Sequence, residues 1–285
     1  MILIHGLVSS PQEFGLLNHS LRMRGIRHHA LTIPGYTLAY QSTKHRWQDW
    51  CQSATASMDE ILNPNEPVIL GGLCSGSLLA ASLALQSSRP IAGLVMMSPT
   101  FKLDGWGLSA KRHLRHVGYL TGLDRFFTVD ECEPYGIKNP KMRKRVAHEL
   151  SSRGESAIGP GRVPLTALRE AERMMRFVRG GLANLKCPLL MIHAREDEIA
   201  SLNSVRKVFD PLPIKDKQLE VVNDSYHMIT IDNDRHKVVA LLEKFSHHVH
   251  HQHMTGSFNV VTNRLTATAS NDRLELLSAH HRRIA

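Results

Sequence analysis

The 285-residue chain has few cysteines and few aromatic residues, with four Cys and 6% Phe, Trp and Tyr. Because Cys51, Cys74, Cys132 and Cys187 are scattered and form no CxxC pair, a disulfide framework and a paired-cysteine zinc site are not expected. No run of about 18 apolar residues occurs, so no transmembrane segment is predicted. The amino terminus, Met-Ile-Leu-Ile-His-Gly, lacks the basic and long apolar regions of a signal peptide. A cytoplasmic location is therefore expected.

The charge balance is basic, with 35 Lys and Arg against 26 Asp and Glu, a formal net charge of +9. Residues 101–180 carry most of this excess, with 16 basic against 9 acidic residues. A solvated helical surface is the simpler interpretation, although a basic segment also suits an anionic substrate such as an acyl-CoA. No basic motif with interleaved aromatics is present, so no nucleic-acid partner is expected.

Other ligand classes leave no signature in the sequence. It contains neither a glycine-rich nucleotide motif nor the spacing of metal ligands, so no cofactor and no metal are expected. Nothing in the sequence specifies an oligomeric state. The remaining candidate partner is a small-molecule substrate.

Short apolar strands alternate with helical segments along most of the chain, which is typical of an α/β fold with a mainly parallel central sheet flanked by helices. The strands are continuously apolar, as expected when both sheet faces are buried. The predicted strands are Ile2–Ile4, His29–Ile33, Pro67–Leu70, Ile91–Met97, Cys187–His193 and Leu219–Val222. The main predicted helices are Pro11–Arg24, Trp47–Leu62, Ser77–Gln86 and Val238–Phe245.

The order of these elements predicts one large domain and a tail. Residues 1–246 form the α/β domain, which a basic and mostly helical cap insertion interrupts at about 100–184. Residues 247–285 contain seven histidines and no sustained hydrophobic period. This composition predicts a poorly ordered tail.

The most informative motif is Gly72–Gly76, which reads Gly-Leu-Cys-Ser-Gly between a predicted strand and a predicted helix. It matches the nucleophile elbow G-x-Nu-x-G, a sharp turn whose crowding requires very small residues two positions before and after the nucleophile. With Cys74 in the centre, both positions are glycine. With Ser75 in the centre they would be Leu73 and Ser77, and leucine is too large. The register therefore predicts Cys74 as the nucleophile.

A nucleophile of this kind needs a histidine base and an acid that orients it, in the chain order nucleophile, acid, histidine. Asp197 follows an apolar strand and is the predicted acid, with Glu196 and Glu198 as competing neighbours. His227 follows the last predicted strand and precedes a helix, so its position singles it out among 18 histidines. These residues predict a Cys74–His227–Asp197 triad.

The negative charge that develops during acyl transfer requires backbone N–H donors. The residue after the nucleophile, Ser75, supplies one. The loop after the first strand, His5-Gly6-Leu7, supplies the other, and Leu7 is the predicted donor. His5 is expected to support this loop rather than to ionise.

Five motifs carry a family resemblance, and they are His5–Leu7, Pro34–Tyr36, Gly72–Gly76, Ala194–Asp197 and Ser225–His227. The order of these motifs resembles that of the α/β-hydrolases over about residues 2–245. In detail they are similar to the carboxylesterase and monoacylglycerol-lipase branch, which is serine aminopeptidase S33-like. The resemblance implies an α/β-hydrolase fold with a helical cap. It also implies an enzyme that cleaves a carboxylic ester or thioester of a small-molecule acyl substrate.

The sequence departs from the family pattern in three ways. Cys74 stands where serine is usual, which is similar to dienelactone hydrolases, polyhydroxyalkanoate synthases and some acyltransferases. The chain begins directly in the strand before His5, so the preceding edge strands are expected to be missing. The tail beyond Phe245 has no counterpart in the family.

Two alternative functions follow from the same residues. An acyltransferase would use the same acyl-cysteine intermediate and pass the acyl group to an alcohol, amine or thiol. A catalytically degenerate binding protein would keep the fold without the reaction, although the intact acid, base and glycine positions argue against it.

Overall fold

A computed structural model describes residues 1–38, 45–109, 113–156 and 158–252. The chain divides into two compact units, Met1–Phe245 and Ser246–Ala285. No helix among the described residues is long and apolar enough to cross a membrane.

The centre of the first unit is a six-stranded sheet in the order β10-β9-β4-β3-β1-β2, and all five neighbouring pairs are parallel. Its strands are β1 (Ile2–Ile4), β2 (His29–Ala30), β3 (Val68–Leu73), β4 (Ile91–Met97), β9 (Leu189–Ala194) and β10 (Lys217–Val222). Every residue of β1, β3 and β9 is buried, as their continuously apolar sequences predict. The predicted parallel sheet is confirmed.

Helices supply the crossover connections between the parallel strands, and further helices lie in the segment between β4 and β9 and after β10. They are α1 (Gly15–Met23), α2 (Trp47–Asp59), α3 (Ser75–Gln86), α4 (Arg115–Thr121), α5 (Pro140–Arg153), α6 (Leu165–Gly181), α7 (Leu202–Phe209) and α8 (residues 235–252). The helix α3 is buried from its start through Leu83, because its sequence is Ser, Gly, Ala and Leu with no charge before the final Gln86.

The segment that was predicted as a cap contains α4, α5 and two small antiparallel pairs of strands. One pair joins β5 (Thr128–Asp130) to β8 (Arg162–Pro164), and the other joins β6 (Glu155–Ser156) to β7 (Gly159–Pro160). The segment ends in α6, whose Met174, Met175 and Val178 belong to the main hydrophobic core. The predicted range 100–184 therefore combines peripheral elements with a helix that packs on the core.

Sequence and structure differ mainly at the ends of elements. The predicted strand His29–Ile33 is shorter in the structure, where it covers only His29–Ala30. The following Leu31 and Ile33 are buried, but the segment from Leu31 to Pro34 has no regular secondary structure. Within the predicted tail, residues 247–252 are helical. The rest of that prediction, residues 253–285, lies outside the described residues.

Candidate active site

Cys74 lies at a sharp turn between β3 and α3. Its backbone has φ 55° and ψ −124°, a region that a residue with a side chain rarely adopts. Its N–H donates to the carbonyl of Met97 at 2.9 Å, so the turn is anchored to the end of β4. This strand, turn and helix are the structural context that the elbow motif requires.

Close packing around the turn requires glycine at both glycine positions of the motif. A Cβ atom on Gly72 would lie 2.2 Å from the carbonyl oxygen of Gly76. A Cβ atom on Gly76 would lie 2.2 Å from the carbonyl oxygens of Ile4 and His5 in the neighbouring chain segment. Both distances are far shorter than any van der Waals contact, so the predicted steric reason for these glycines is confirmed.

The structure separates Cys74 from its neighbour Ser75. Ser75 is the first residue of α3, is 2% exposed, and its Oγ has no hydrogen-bond partner among the described residues. Cys74 is partly exposed, and its Sγ lies 3.5 Å from the Thr100 hydroxyl oxygen. Of the two side chains, that of Cys74 is therefore the one that a substrate can reach.

His227 and Asp197 come together in the loops that follow β10 and β9. The His227 Nδ1 lies 2.7 Å from Asp197 Oδ2, and both residues are buried. The other oxygen, Oδ1, accepts backbone hydrogen bonds from Ile199 at 2.8 Å and Ala200 at 2.9 Å. These bonds fix the carboxylate, which in turn orients the imidazole ring.

The neighbours of Asp197 have different contacts. Glu196 accepts a hydrogen bond from Lys138 Nζ at 3.0 Å on the surface. Glu198 is buried and accepts the backbone N–H of His227 at 3.1 Å, and burial raises its pKa to about 6. Only Asp197 among the three reaches the imidazole ring of His227.

The pair is electrostatically coupled to the thiol. Burial alone would lower the pKa of His227, but the Asp197 carboxylate and Cys74 raise that pKa well above its usual value. Burial likewise acts to raise the pKa of Asp197, and His227 with its hydrogen bond brings the net shift downward. The arrangement therefore stabilises the imidazolium that forms when His227 accepts a proton beside the ionised carboxylate.

The second ring nitrogen of His227 is available for chemistry. The buried Nε2 has no hydrogen-bond partner among the described residues. Cys74 is close enough to influence the His227 pKa, although its Sγ makes its hydrogen bond with Thr100. The thiol or a bound substrate can therefore engage this nitrogen, because hydrogen bonds in catalytic sites tighten when a substrate binds.

The loop after β1 faces the elbow. Gly6 packs against Cys74, since a Cβ on Gly6 would lie 3.8 Å from Cys74 Cβ. Val8 has φ 54°, an unusual conformation for a β-branched residue that reverses the chain direction after Leu7. The loop therefore places Leu7 at the same edge of the sheet as Cys74, where Ser75 follows Cys74 at the start of α3. These two residues stay the predicted N–H donors.

His5 holds this loop in place. It is fully buried, with Nε2 2.8 Å from the Thr37 hydroxyl and its ring stacked on Tyr36 at 5.1 Å. The Tyr36 hydroxyl donates to the His5 carbonyl at 3.0 Å. Burial lowers the pKa of His5 to about 4, so the residue stays neutral and supports the loop, as predicted.

Glu13 lies beneath the loop, and sequence reasoning did not identify it. It is 2% exposed, and its Oε2 accepts the N–H of Gly6 at 2.7 Å. Burial raises its pKa to about 7, against the opposing effects of Gly6, Ser9 and His227. In the sequence, an acid in a Ser-Ser-Pro-Gln-Glu segment is typical of the solvent-exposed start of a helix. No pattern in the sequence therefore predicted that Glu13 is buried.

The buried Glu13 makes folding stability depend on pH. Its pKa in the folded state lies above the unfolded value, so the native state binds the extra proton, and stability falls as pH rises between about 4.5 and 7. Glu13→Gln keeps an oxygen acceptor for Gly6 and removes this titration. We expect the free energy of unfolding of Glu13→Gln, relative to that of the parent protein, to increase as pH rises through this window, by about 1.4 kcal/mol per pH unit at most. Urea unfolding at several pH values measures this difference.

The control for this experiment is Glu155→Gln, because Glu155 is exposed. Its stability difference from the parent protein should not change with pH. Glu198 and the other titrating groups are present in all three proteins, so their effects cancel in the comparison. Parallel pH curves for the parent and Glu13→Gln proteins would contradict the prediction.

Two hydroxyl groups complete the site and were also missed by the sequence reasoning. Thr100 is buried beside the Cys74 thiol, and Ser98 Oγ donates to the His227 carbonyl at 2.6 Å. Both follow β4, so the parallel arrangement brings them to the carboxyl edge where ligands bind in open α/β sheets. In the part of the chain that the structure describes, no group of three or more His, Cys, Asp or Glu could hold a metal ion.

Comparison with known proteins agrees with this fold and identifies the family. The family described as "Serine aminopeptidase, S33" matches residues 1–234. A carboxylesterase of Bacillus subtilis (strain 168) is 21% identical, over 82% of this chain and 87% of that protein. A thermostable monoacylglycerol lipase of Bacillus sp. (strain H-257) is 20% identical, over 87% and 90%.

Solved structures show the same architecture. The crystal structure of Paleococcus ferrophilus monoacylglycerol lipase superposes with a TM-score of 0.70 at 19% identity and covers 86% of this chain and 92% of that chain. The fold is therefore the α/β-hydrolase fold. The chain belongs to the serine aminopeptidase S33 family and is a carboxylesterase-like hydrolase.

Proposed function

We propose that this protein hydrolyses a carboxylic ester or thioester through a covalent acyl-enzyme on Cys74, with His227 as the base and Asp197 as the residue that orients it. The observation that carries the proposal is that Cys74 and the His227–Asp197 pair lie at one edge of the sheet. The end of β4 joins them there, because the Cys74 N–H donates to the Met97 carbonyl and the Ser98 hydroxyl donates to the His227 carbonyl. The named relatives, a carboxylesterase and a monoacylglycerol lipase, support an ester or a chemically related acyl compound as the substrate.

Acylation begins with transfer of the thiol proton from Cys74 to His227 Nε2. The sulfur attacks the carbonyl carbon of the substrate, and the developing oxyanion is held by the N–H groups of Leu7 and Ser75. As the tetrahedral intermediate collapses, the bond from carbon to the leaving group breaks. His227 gives its proton to the leaving alcohol or thiol, and the acyl group remains on Cys74 as a thioester.

Deacylation repeats these steps with water as the attacking group. His227 accepts a proton from water, the hydroxyl oxygen bonds to the acyl carbon, and the bond from that carbon to Cys74 sulfur breaks. The carboxylic acid leaves, and the proton on His227 returns to the thiol. Asp197 stays ionised throughout and stabilises the imidazolium that forms twice per cycle.

Cysteine in place of serine favours thioesters among the candidate substrates. Exchange of one thioester for another makes and breaks the same kind of bond, so the free energy changes little when a thioester acylates Cys74. An oxygen ester forms a thioester at the expense of a more stable bond. We therefore place thioesters first and simple esters second.

Intact-mass spectrometry of the protein incubated with acyl thioesters and aryl esters tests the proposal. We expect the unmodified protein to gain the mass of the acyl group, and Cys74→Ala to gain none. Turnover should fall by about 10⁴-fold or more in Cys74→Ala, since the nucleophile is removed. In Cys74→Ser, any adduct should be an oxygen ester, which resists the hydroxylamine concentration that releases a thioester.

A second chemical test separates Cys74 from its neighbour. Ser75→Ala should still acquire the adduct, because its Oγ is buried and Cys74 is unchanged. An adduct that persists in Cys74→Ala and disappears in Ser75→Ala would overturn the assignment. Transfer of the acyl group to an added alcohol or amine in preference to water would contradict hydrolysis and identify an acyltransferase.

A further inference from the structure

A cavity of about 370 Å³ lies between the segment after β4, the helix α4 and the helix α6. Its lining includes four cationic side chains, Lys102, Arg115, Arg176 and Arg179, and one carboxylate, Glu172. Phe101, Leu103 and Met175 supply an apolar wall. The lining therefore combines a strong positive charge with an apolar surface.

The carboxylate in this cavity already has hydrogen-bond partners. Glu172 accepts a hydrogen bond from Arg115, whose side chain is mostly buried, and a longer one of 3.4 Å from the Tyr119 hydroxyl. Arg176 and Arg179 are exposed and lie one turn apart on α6, and within the described residues neither has an ion pair to a carboxylate within 4.0 Å. Lys102 pairs with Asp104 at 3.8 Å, so the positive charge that remains in the cavity after both pairs are counted is that of Arg176 and Arg179.

A second cavity of similar size provides a contrast. It is about 300 Å³ and is lined by Arg46, Arg125 and Arg169 together with Asp124 and Glu170. Arg169 pairs with Asp124 at 3.0 Å, so its charges are largely balanced. The cavity beside Lys102 is the better anion site of the two.

The basic cavity is also near the reaction centre. Thr100, whose hydroxyl is 3.5 Å from the Cys74 sulfur, is followed directly by Phe101 and Lys102, which line the cavity. Two peptide units place the Cα of Lys102 at most about 7.6 Å from that of Thr100. The separation between the thiol and the cavity is therefore short enough for a substrate with an extended arm to span.

We propose that this cavity binds the phosphate groups of an acyl thioester whose leaving thiol carries phosphate, that is, a phosphopantetheine or CoA thioester, with Lys102, Arg176 and Arg179 as the ligands. Phosphate oxygens accept hydrogen bonds from guanidinium groups in bidentate geometry. The pantetheine arm separates the thiol from the phosphates, so the phosphate site must lie beside Cys74 and not at it. This inference rests on the proposed function.

Matched substrates with and without phosphate test the inference. The rates of hydrolysis are compared for the same acyl group on CoA, on phosphopantetheine and on pantetheine. We expect kcat/KM to be higher for the two phosphorylated thioesters and to fall toward the pantetheine value as salt is added, because salt screens exposed charges. A higher kcat/KM for the CoA thioester than for the phosphopantetheine thioester would show that the cavity binds the nucleotide phosphates. Equal kcat/KM values for these two thioesters would show that it binds the single phosphate of the pantetheine arm.

Variants connect this preference to the cavity. In Arg176→Gln and Arg179→Gln, the ratio of kcat/KM for the CoA thioester to that for the pantetheine thioester should fall by about ten-fold each, the usual effect of losing a charged hydrogen bond. Arg153→Gln removes the same charge from an exposed position on α5 and should leave the ratio unchanged.

The outcomes separate this inference from the proposed function. If all three thioesters are hydrolysed equally well and the ratio is the same in every variant, the phosphate site is wrong and the hydrolase proposal stands. If no thioester or ester acylates Cys74, the proposed function itself fails. A ratio that falls as much in Arg153→Gln would show a general charge effect and would also reject the cavity.

Discussion

Asp197→Asn is expected to lower kcat by about 10⁴-fold while the protein keeps its fold. The side chain has the same shape, so the backbone hydrogen bonds from Ile199 and Ala200 can be kept. The amide has no charge to stabilise the imidazolium, and its NH₂ group can force His227 into the tautomer that cannot accept the thiol proton. Steady-state kinetics with a thioester or aryl ester measures the loss, and circular dichroism checks the fold.

The adjacent Glu196→Gln is the control for this variant. Glu196 lies one residue away but pairs with Lys138 at the surface, so its replacement should change kcat by less than about two-fold, as is usual for surface positions. The same comparison resolves the ambiguity among three consecutive acids. A large loss in Glu196→Gln with little loss in Asp197→Asn would show that the acid has been assigned incorrectly.

Gly76→Ala is expected to destabilise the protein by about 3 kcal/mol or more. The added methyl group would lie 2.2 Å from the carbonyl oxygens of Ile4 and His5, and these belong to the backbone of β1 and the loop after it. No side-chain rotation can relieve such a contact, so the strand, the elbow or both must move. Activity should fall with stability, because the same shift displaces Leu7 from the edge of the sheet where Cys74 lies.

Gly180→Ala provides the matched control, since it is the same substitution in a helix. A Cβ on Gly180 would meet nothing within 4 Å, and alanine is favoured over glycine in helices by up to about 1 kcal/mol. Urea unfolding should therefore show Gly180→Ala to be as stable as the parent protein or more stable. Equal free energies of unfolding for Gly76→Ala and the parent protein would contradict the packing described at the elbow.

The proposed triad illustrates how a parallel sheet assembles a site from distant sequence. The elbow follows β3, Asp197 follows β9 and His227 follows β10, and all these strands run in the same direction. Their carboxyl ends therefore meet at one edge, together with the loop after β1. Residues that the chain separates by more than a hundred positions are brought together by the strand order alone.

The sequence by itself determined the parallel α/β architecture and the candidate triad. Continuous apolar strands predicted a doubly buried sheet, and the glycines on both sides of Cys74 selected the register of the elbow. The position of an acid and a histidine after two strands then indicated Asp197 and His227. The prediction of the architecture succeeded because it depends on hydrophobic periodicity, which is a local pattern. The candidate triad rests on two further local patterns, the steric requirement of one turn and the residues at strand ends, and stays a prediction.

Only the tertiary structure decided which other side chains accompany them. Glu13 lies beneath the loop after β1, Thr100 lies beside the Cys74 sulfur, and Arg176 and Arg179 share a cavity with Lys102. Burial and charge at these positions depend on how α4, α6 and the strand loops pack together, and no local pattern encodes that packing. A carboxyl group in a polar turn and arginines on a helix look like solvated surface until their neighbours in space are known.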